Sequence, residues 1–310
     1  MVINRAWPIV LLRALARPLS DVTYLRLAYW LYYRRWPDYA HPRTLQEHIQ
    51  AYVLRSRNPM LVTLADKIAV RDYIDATVGP GHTVPMVGAW RDADAVPLAT
   101  LPYPLVLKPS HLSGRVLFLA HPEPGQEETV RRVLRDWLRR DHSRINREWF
   151  YAQVPPGIVA EPLLLDEQGE PPADIKASVI GGRVRYFQVD RGRQCGHTRN
   201  LYDAEWNLLP VRGPLPRHAS DARPPDLPGL IALAERLAEP FEFLRVDCYV
   251  LGTRVLVGEL TSSPGAGFGR FFPASYSETI GAHWAPRTPN AAASPLPPLT
   301  AGIHLRRPAP

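Results

Sequence analysis

Between Val22 and Trp36 the apolar residues Val22, Leu25, Tyr29, Tyr32 and Trp36 recur at helical spacing, with Arg26, Arg34 and Arg35 between them. This pattern predicts an amphipathic helix, which either lies on an anionic membrane face or packs on the protein's own core. Thr44 and Glu47 then form the pair of a capping box ahead of Leu45, Ile49, Tyr52 and Val53, so a second helix begins after Arg43. A third runs from about Asp66 to Val78 and stops at Gly79-Pro80-Gly81.

The period then changes. Pro104 to Lys108 and Val116 to Leu119 read as short strands joined by the polar turn Ser110 to Arg115. Val130, Val133, Leu134, Trp137 and Leu138 mark another helix, whose arginine face is solvated surface. Ile158 to Leu165 is a strand. Ile175 to Ile180 and Arg183 to Val189 form a hairpin around Gly181-Gly182. A helix over about Asp226 to Ala238 precedes a final hairpin, Arg245 to Val250 with Val255 to Leu260. Helices dominate the first third and antiparallel strands the rest, so the predicted class is α+β, with helices covering one side of each sheet. No internal repeat is visible.

Composition sharpens the picture in three places. Of 37 basic residues only Lys67, Lys108 and Lys176 are lysines, and lysine is the compact ammonium that enters a crowded phosphate site where a planar guanidinium does not fit. The formal net charge of +7 favours anionic partners. No nucleic-acid module or basic stripe interleaved with aromatics accompanies it, so nucleic acid is disfavoured. The two cysteines, Cys195 and Cys248, make neither a disulfide framework nor a structural zinc site, which points to a reducing, cytoplasmic compartment. The apolar run Ala6 to Leu12 imitates a signal peptide, but Arg13 interrupts it and it is too short to span a bilayer, which takes ~20 residues. The proline- and alanine-rich stretch from Trp284 to Pro310 has no periodicity and reads as a disordered tail.

Candidate chemistry concentrates in the last hairpin. With a three-residue loop, Gly252 to Arg254, Asp247 faces Glu259 and both carboxylates project from one face, their Cβ atoms ~4.5 to 5.5 Å apart. A hard divalent cation relieves that repulsion, since magnesium takes carboxylate oxygens together with substrate phosphates. A two-residue turn instead sends the acids to opposite faces, and the residues alone leave both registers open. The Ser/Gly loop Thr261 to Gly267 offers hydroxyl and N–H groups to a polyanion. Lys108 ends a strand just before the Ser110 to Arg115 turn, where His111 also lies, and Lys176 shares a strand face with Asp174 and Ser178. In chain order these residues describe a nucleotide held between two sheets.

That order resembles the ATP-grasp superfamily, and the strings HPRTLQEHIQ, LADKIAVRDYI, VLKPSHLSG, DIKASVIGGRVRYFQVDR and FLRVDCYVLGTRVLVGELTSSPGAGF resemble its TupA-like branch, associated with bacterial surface polysaccharide and teichuronopeptide synthesis. The likeness runs from about Pro42 to Gly281. It implies an ATP-grasp fold of two antiparallel-sheet lobes, with a helical N-terminal region (1–62), a preceding segment (63–104), a small lobe (105–160), a large lobe with the metal site (161–285) and a tail (286–310). It implies ATP and Mg2+ as cofactors. Lys67 and Lys108 then contact phosphates, Glu161 sits at the adenine edge, Asp174 holds the ribose and Lys176 lies near the phosphates. Arg191 steadies the transferred phosphoryl group, Asp247 and Glu259 hold magnesium, and Arg199, Ser263 and Gly265 are substrate candidates. The resemblance also selects the three-residue loop. Thr261 stands where the superfamily commonly has Asn, and the thin loop leaves closure to Arg115.

The implied activity is ATP-dependent carboxylate–amine ligation through an acyl phosphate on a surface glycan or glycopeptide precursor, with peripheral membrane docking through the N-terminal helix. A kinase of a glycan hydroxyl and a non-catalytic nucleotide-binding scaffold are the alternatives. Oligomeric state is not encoded in any pattern found.

Overall fold

A computed structural model describes residues 18–121, 125–193 and 195–285. The apolar run at 6–12 and the tail beyond 285 lie outside the described residues. Helices come first: α1 (Asp21–Tyr33), α2 (Leu45–Arg55), α3 (Met60–Ala65) and α4 (Val70–Val78). Strands β1 (Gly88–Trp90), β2 (Leu105–Pro109) and β3 (Leu117–Leu119) follow, then α5 (Glu127–Leu138), the single turn α6 (Ser143–Asn146) and β4 (Ile158–Pro162). The remainder is β5 (Asp174–Ile180), β6 (Arg183–Arg191), β7 (Thr198–Tyr202), α7 (Leu227–Ala238), β8 (Phe243–Leu251), β9 (Arg254–Thr261) and α8 (Tyr276–Gly281). Two antiparallel sheets result, ordered β1-β4-β2-β3 and β7-β6-β5-β8-β9. This is the α+β architecture expected.

Local chemistry explains the boundaries. The Thr44 hydroxyl accepts from the Glu47 N–H while the Glu47 carboxylate accepts from the Thr44 N–H, closing the capping box that starts α2. Asp226 caps α7 through the Gly229 N–H. Gly181 and Gly182, at φ 61° and 81°, form the two-residue turn between β5 and β6, where only glycine takes such angles freely. The helix expected from Asp66 begins only at Val70: the Asp66 carboxylate accepts from the Ile68 N–H in a tight turn, and α3 precedes it.

In the small sheet, Leu105, Leu107, Ile158 and Ala160 pack on Val130, Leu134 and Trp137 of α5. In the large sheet, Ala177, Val179, Phe187, Val246 and Cys248 pack with Leu230, Ala234 and Leu237 of α7. Burying one face of each sheet leaves the alternate residues of each strand on the other face. The core also takes in Trp284, which stacks 5.8 Å from Phe243 and is 8% exposed, so the expected disordered tail does not begin there. On α1 the buried residues are Tyr24, Leu25, Ala28 and Tyr29, while Val22 and Trp36 are exposed. The helix therefore packs on the protein with a stripe rotated from the expected one, and the Tyr33 hydroxyl donates to the Gly269 carbonyl (2.5 Å). Among the described residues no helix is long and apolar enough to cross a membrane.

Candidate functional site

Strand register places the charged residues. Lys176 pairs with Asp247 across β5 and β8, Asp247 pairs with Glu259 across β8 and β9, and Asp174 pairs with Asp190 across β5 and β6. Asp174, Lys176, Asp190, Arg245, Asp247, Glu259 and Arg199 therefore share the face opposite α7.

The Asp247–Glu259 juxtaposition arises by a different route from the one expected. The turn holds two residues, Gly252 and Thr253, since Leu251 pairs with Arg254. That register alone puts the acids on opposite faces, but Cys248 pairs with Val257 and Asp247 with Glu259, leaving Gly258 as the extra residue of a β-bulge. A Cβ at Gly258 lies 2.8 Å from Cε2 of Tyr249, so glycine fits here where a side chain meets the ring.

The ion pairs follow. Lys176 Nζ sits between Asp174 and Asp247 Oδ2, the latter at 3.0 Å. Arg245 holds Asp247 with Nε on Oδ1 (2.6 Å) and Nη2 on Oδ2 (2.7 Å), and reaches the Thr261 hydroxyl at 3.3 Å. Burial pushes the Asp247 carboxyl upward, but Arg245 and Lys176 outweigh it and hold the group below the usual carboxylate range. Asp190 behaves alike, with Arg199 overriding burial through bonds of 2.6 and 2.9 Å. Arg193 Nη1 donates to Asp174 at 2.8 Å.

The small sheet supplies the facing wall. Lys108 Nζ and Arg71 Nη2 each lie 2.5 Å from a different oxygen of buried Glu161. Lys67 links the lobes: its Nζ donates to the Leu112 carbonyl at 2.8 Å in the turn after β2, and lies 3.5 Å from Glu259 Oε1. All three lysines thus end on carboxylates that line the space between the sheets.

Several expected positions differ. Arg191 alternates with Asp190, so it projects from the other face, where Nε meets Asp221 at 2.6 Å; Arg199, the weaker expectation, is on the site face together with Arg245. Ser263 is buried and donates to Glu148, and Gly265 lies within a tight turn locked to α2 through Gln50 Nε2 and the Ala266 carbonyl (3.0 Å). The Ser/Gly loop is thus packed structure. His111 is buried with Nε2 3.1 Å from the Trp137 carbonyl, turned away from the cleft. Arg115 is exposed.

Arg71, Asp190, Arg193, Arg245 and Glu148 were not anticipated. For Arg245 a signal existed, because Arg-x-Asp on one strand puts both side chains on one face. Glu148 had none. Fully buried beside Ser263, Asn146 and His142 (3.9 Å), its carboxyl is pushed by burial up to about 7, against the lowering by the two hydrogen bonds.

The donor set fits a hard cation that arrives with phosphates. Asp247 and Glu259 are two opposed carboxylates without a third: among the described residues no cluster of three or more His, Cys, Asp or Glu is placed to hold a metal. Oxygen donors alone, too few for an all-protein cage, suit magnesium sharing its shell with a polyphosphate. In this structure Arg245 and Lys176 occupy the Asp247 oxygens.

A family model described as TupA-like ATPgrasp matches residues 47–285. Similar solved structures include the L-amino acid ligase from Bacillus licheniformis (14% identity, TM-score 0.45, covering 80% of this chain and 56% of that one). They also include a D-alanine–D-alanine ligase from Bacillus anthracis complexed with ATP (14%, 0.42, 66% and 57%). A third is the ATP-grasp ligase PsnB complexed with a minimal precursor (13%, 0.38, 70% and 60%). The chain thus spans under two thirds of each. No curated protein matches.

Proposed function

This chain belongs to the TupA-like ATP-grasp family, and from that premise we propose that it is an ATP-dependent carboxylate–amine ligase, forming a carbon–nitrogen bond on a precursor of a surface polysaccharide or glycopeptide. The carrying observation is the single row of opposed charges on the large sheet, Lys176 beside Asp247 beside Glu259, faced by Lys108 and Lys67 across the lobes. Three ammoniums and a carboxylate pair between two sheets match a triphosphate with its cation.

In this reading ATP is a substrate: its γ-phosphoryl group passes to a carboxylate oxygen, ADP departs, and an amine then attacks the carbonyl carbon with loss of phosphate. Asp247 and Glu259 hold magnesium, which neutralises phosphate charge when bound. Lys67, Lys108 and Lys176 orient the phosphates, Lys67 and Lys176 turning from Glu259 and Asp247 as the polyanion enters. Glu161 sets Lys108 through their 2.5 Å contact, and the adenine edge is formed by backbone near it. Asp174 receives the ribose. Arg245 faces the reacting groups beside Asp247, and Arg199, three strands from Asp247, holds Asp190 along the substrate's path. Such catalysis is positioning and electrostatics, with no nucleophilic side chain needed. Exposed Trp30 and Trp36, with Arg26 and Arg34 over their rings, give α1 a surface for peripheral contact with an anionic membrane carrying the precursor.

The test is turnover. Purified protein with ATP, magnesium and paired sets of uronic or amino acids and amines is expected to release phosphate only when both partners are present, and the product to be an amide. Phosphate release at background with every pair contradicts the reading, and a stable phosphoester assigns the clamp to a kinase.

A further inference from the structure

A groove of about 380 Å³ lies between α1 and the loops after β7 and β9, walled by Tyr32, Arg212, Gly213, Arg270 and Phe272. Its two arginines are held differently from those on the site face. Arg199, Arg245 and Arg193 all end on carboxylates. Arg270 instead lies 4.1 Å over the Tyr32 ring and donates to the Tyr32 carbonyl, and Arg212 lies 5.4 Å over the Phe272 ring. Among the described residues neither makes an ion pair, and the Arg270 Nε is buried without a hydrogen-bond partner. Backbone bonds in both directions between Arg212 and Phe272 (3.0 and 2.8 Å) fix one wall against the other. A ring contact orients a guanidinium without neutralising it, so the groove carries two pre-set positive charges in a concavity. That arrangement receives an oxyanion at little ordering cost.

The groove adjoins the site. A Cβ at Gly213 lies 3.4 Å from Arg199 Cδ and 3.8 Å from its Nη1, so the groove floor backs onto the arginine that grips Asp190. From Arg199 on β7 to Asp247 on β8 the sheet spans three strand spacings, about 14 Å. An anion in the groove is therefore well separated from the reacting centre. Tyr32 belongs to α1, outside the matched residues 47–285, so one wall is supplied by a segment beyond the family region.

We infer that this groove binds a distal oxyanion, a carboxylate or a phosphate, of an extended substrate whose reacting group lies at Lys176 and Asp247. The assignment to substrate rests on the ligase reading; anion binding at the groove does not.

The experiment titrates inorganic phosphate and, separately, glutarate into the full chain by calorimetry, with and without AMPPNP and magnesium. At least one anion is expected to bind in both conditions, phosphate alone marking a phosphorylated source and glutarate alone a carboxylate. Arg212→Gln, which disturbs only a ring contact, is expected to weaken binding about tenfold, the loss of one charge-assisted contact, and Arg212→Gln with Arg270→Gln to abolish it. AMPPNP affinity stays unchanged in both variants. An anion that binds Arg212→Gln as tightly as wild type, or neither anion binding wild type, overturns the groove. Wild type that binds the anion but not AMPPNP keeps the groove and overturns the ligase reading.

Discussion

Arg245 and Asp247, two residues apart on β8, form a bidentate ion pair with bonds of 2.6 and 2.7 Å, so the carboxylate assigned to magnesium is fully engaged by a guanidinium. Removing Arg245 leaves the buried Asp247 carboxylate with Lys176 as its remaining partner, at the lower end of the about 3–5 kcal/mol that breaking a buried pair costs. We expect Arg245→Leu to destabilise by that order, and Arg245→Leu with Asp247→Asn to cost less than the two single changes together. Urea denaturation of the four proteins measures the coupling; strict additivity contradicts it.

Gly258 carries the bulge that brings Glu259 opposite Asp247. Gly258→Ala puts a methyl against the Tyr249 ring, 2.8 Å from Cε2, and is expected to cost about 1–3 kcal/mol. Tyr249→Leu is expected to restore part of that loss by vacating the space. Melting temperatures of the single and double variants decide it, and an unchanged Gly258→Ala midpoint contradicts the role of the bulge.

Arg191 and Arg199 exchange the importance that sequence order assigns them. Asp221 also accepts from Tyr202 and lies beside His218, so Arg191→Gln leaves it satisfied, and turnover is expected to stay within about threefold, under 1 kcal/mol. Arg199→Lys keeps a charge but loses the paired bonds to Asp190, and kcat/KM is expected to fall by about 100-fold. Steady-state kinetics with ATP and the substrate pair distinguish the two; equal losses contradict the face assignment.

Glu148 makes stability depend on pH. Its carboxyl is raised by burial from 4.5 to about 7, so the folded state binds the extra proton and stability falls as pH rises between those values. Glu148→Gln keeps a hydrogen-bonding side chain beside Ser263 without the charge. Relative to wild type it is expected to gain about 3 kcal/mol between pH 5 and pH 8. Denaturation midpoints at the two pH values test this, and a constant difference contradicts it.

Much of the fold was legible because its signals are local. The Thr44–Glu47 capping box, the Gly181-Gly182 turn and the period of α5 each specify an element without reference to the rest of the chain. The lysines and the Asp247–Glu259 pair were legible as positions, since strand alternation fixes their face once a register is chosen. The register itself was not. A two-residue turn plus a bulge gives the same pairing as a three-residue turn, and Gly258 looks like any strand glycine. Arg191 lies on the face opposite Asp190 because one residue along a strand reverses the face. Glu148 and Trp284 depend on what long-range packing encloses them, and their neighbours Ser263 and Phe243 are far away in sequence.

In the proposed ligase, Lys108 and the Asp247–Glu259 pair hold an ATP–magnesium complex between the lobes. Calorimetry of ATP binding, with and without magnesium, compares wild type with Lys108→Ala and with Asp247→Asn, Glu259→Gln. Wild type is expected to bind tightly and with magnesium dependence, Lys108→Ala to lose binding, and the double variant to bind weakly and indifferently to magnesium. Folded wild-type protein that binds no nucleotide, or a double variant that keeps the full magnesium dependence, contradicts it.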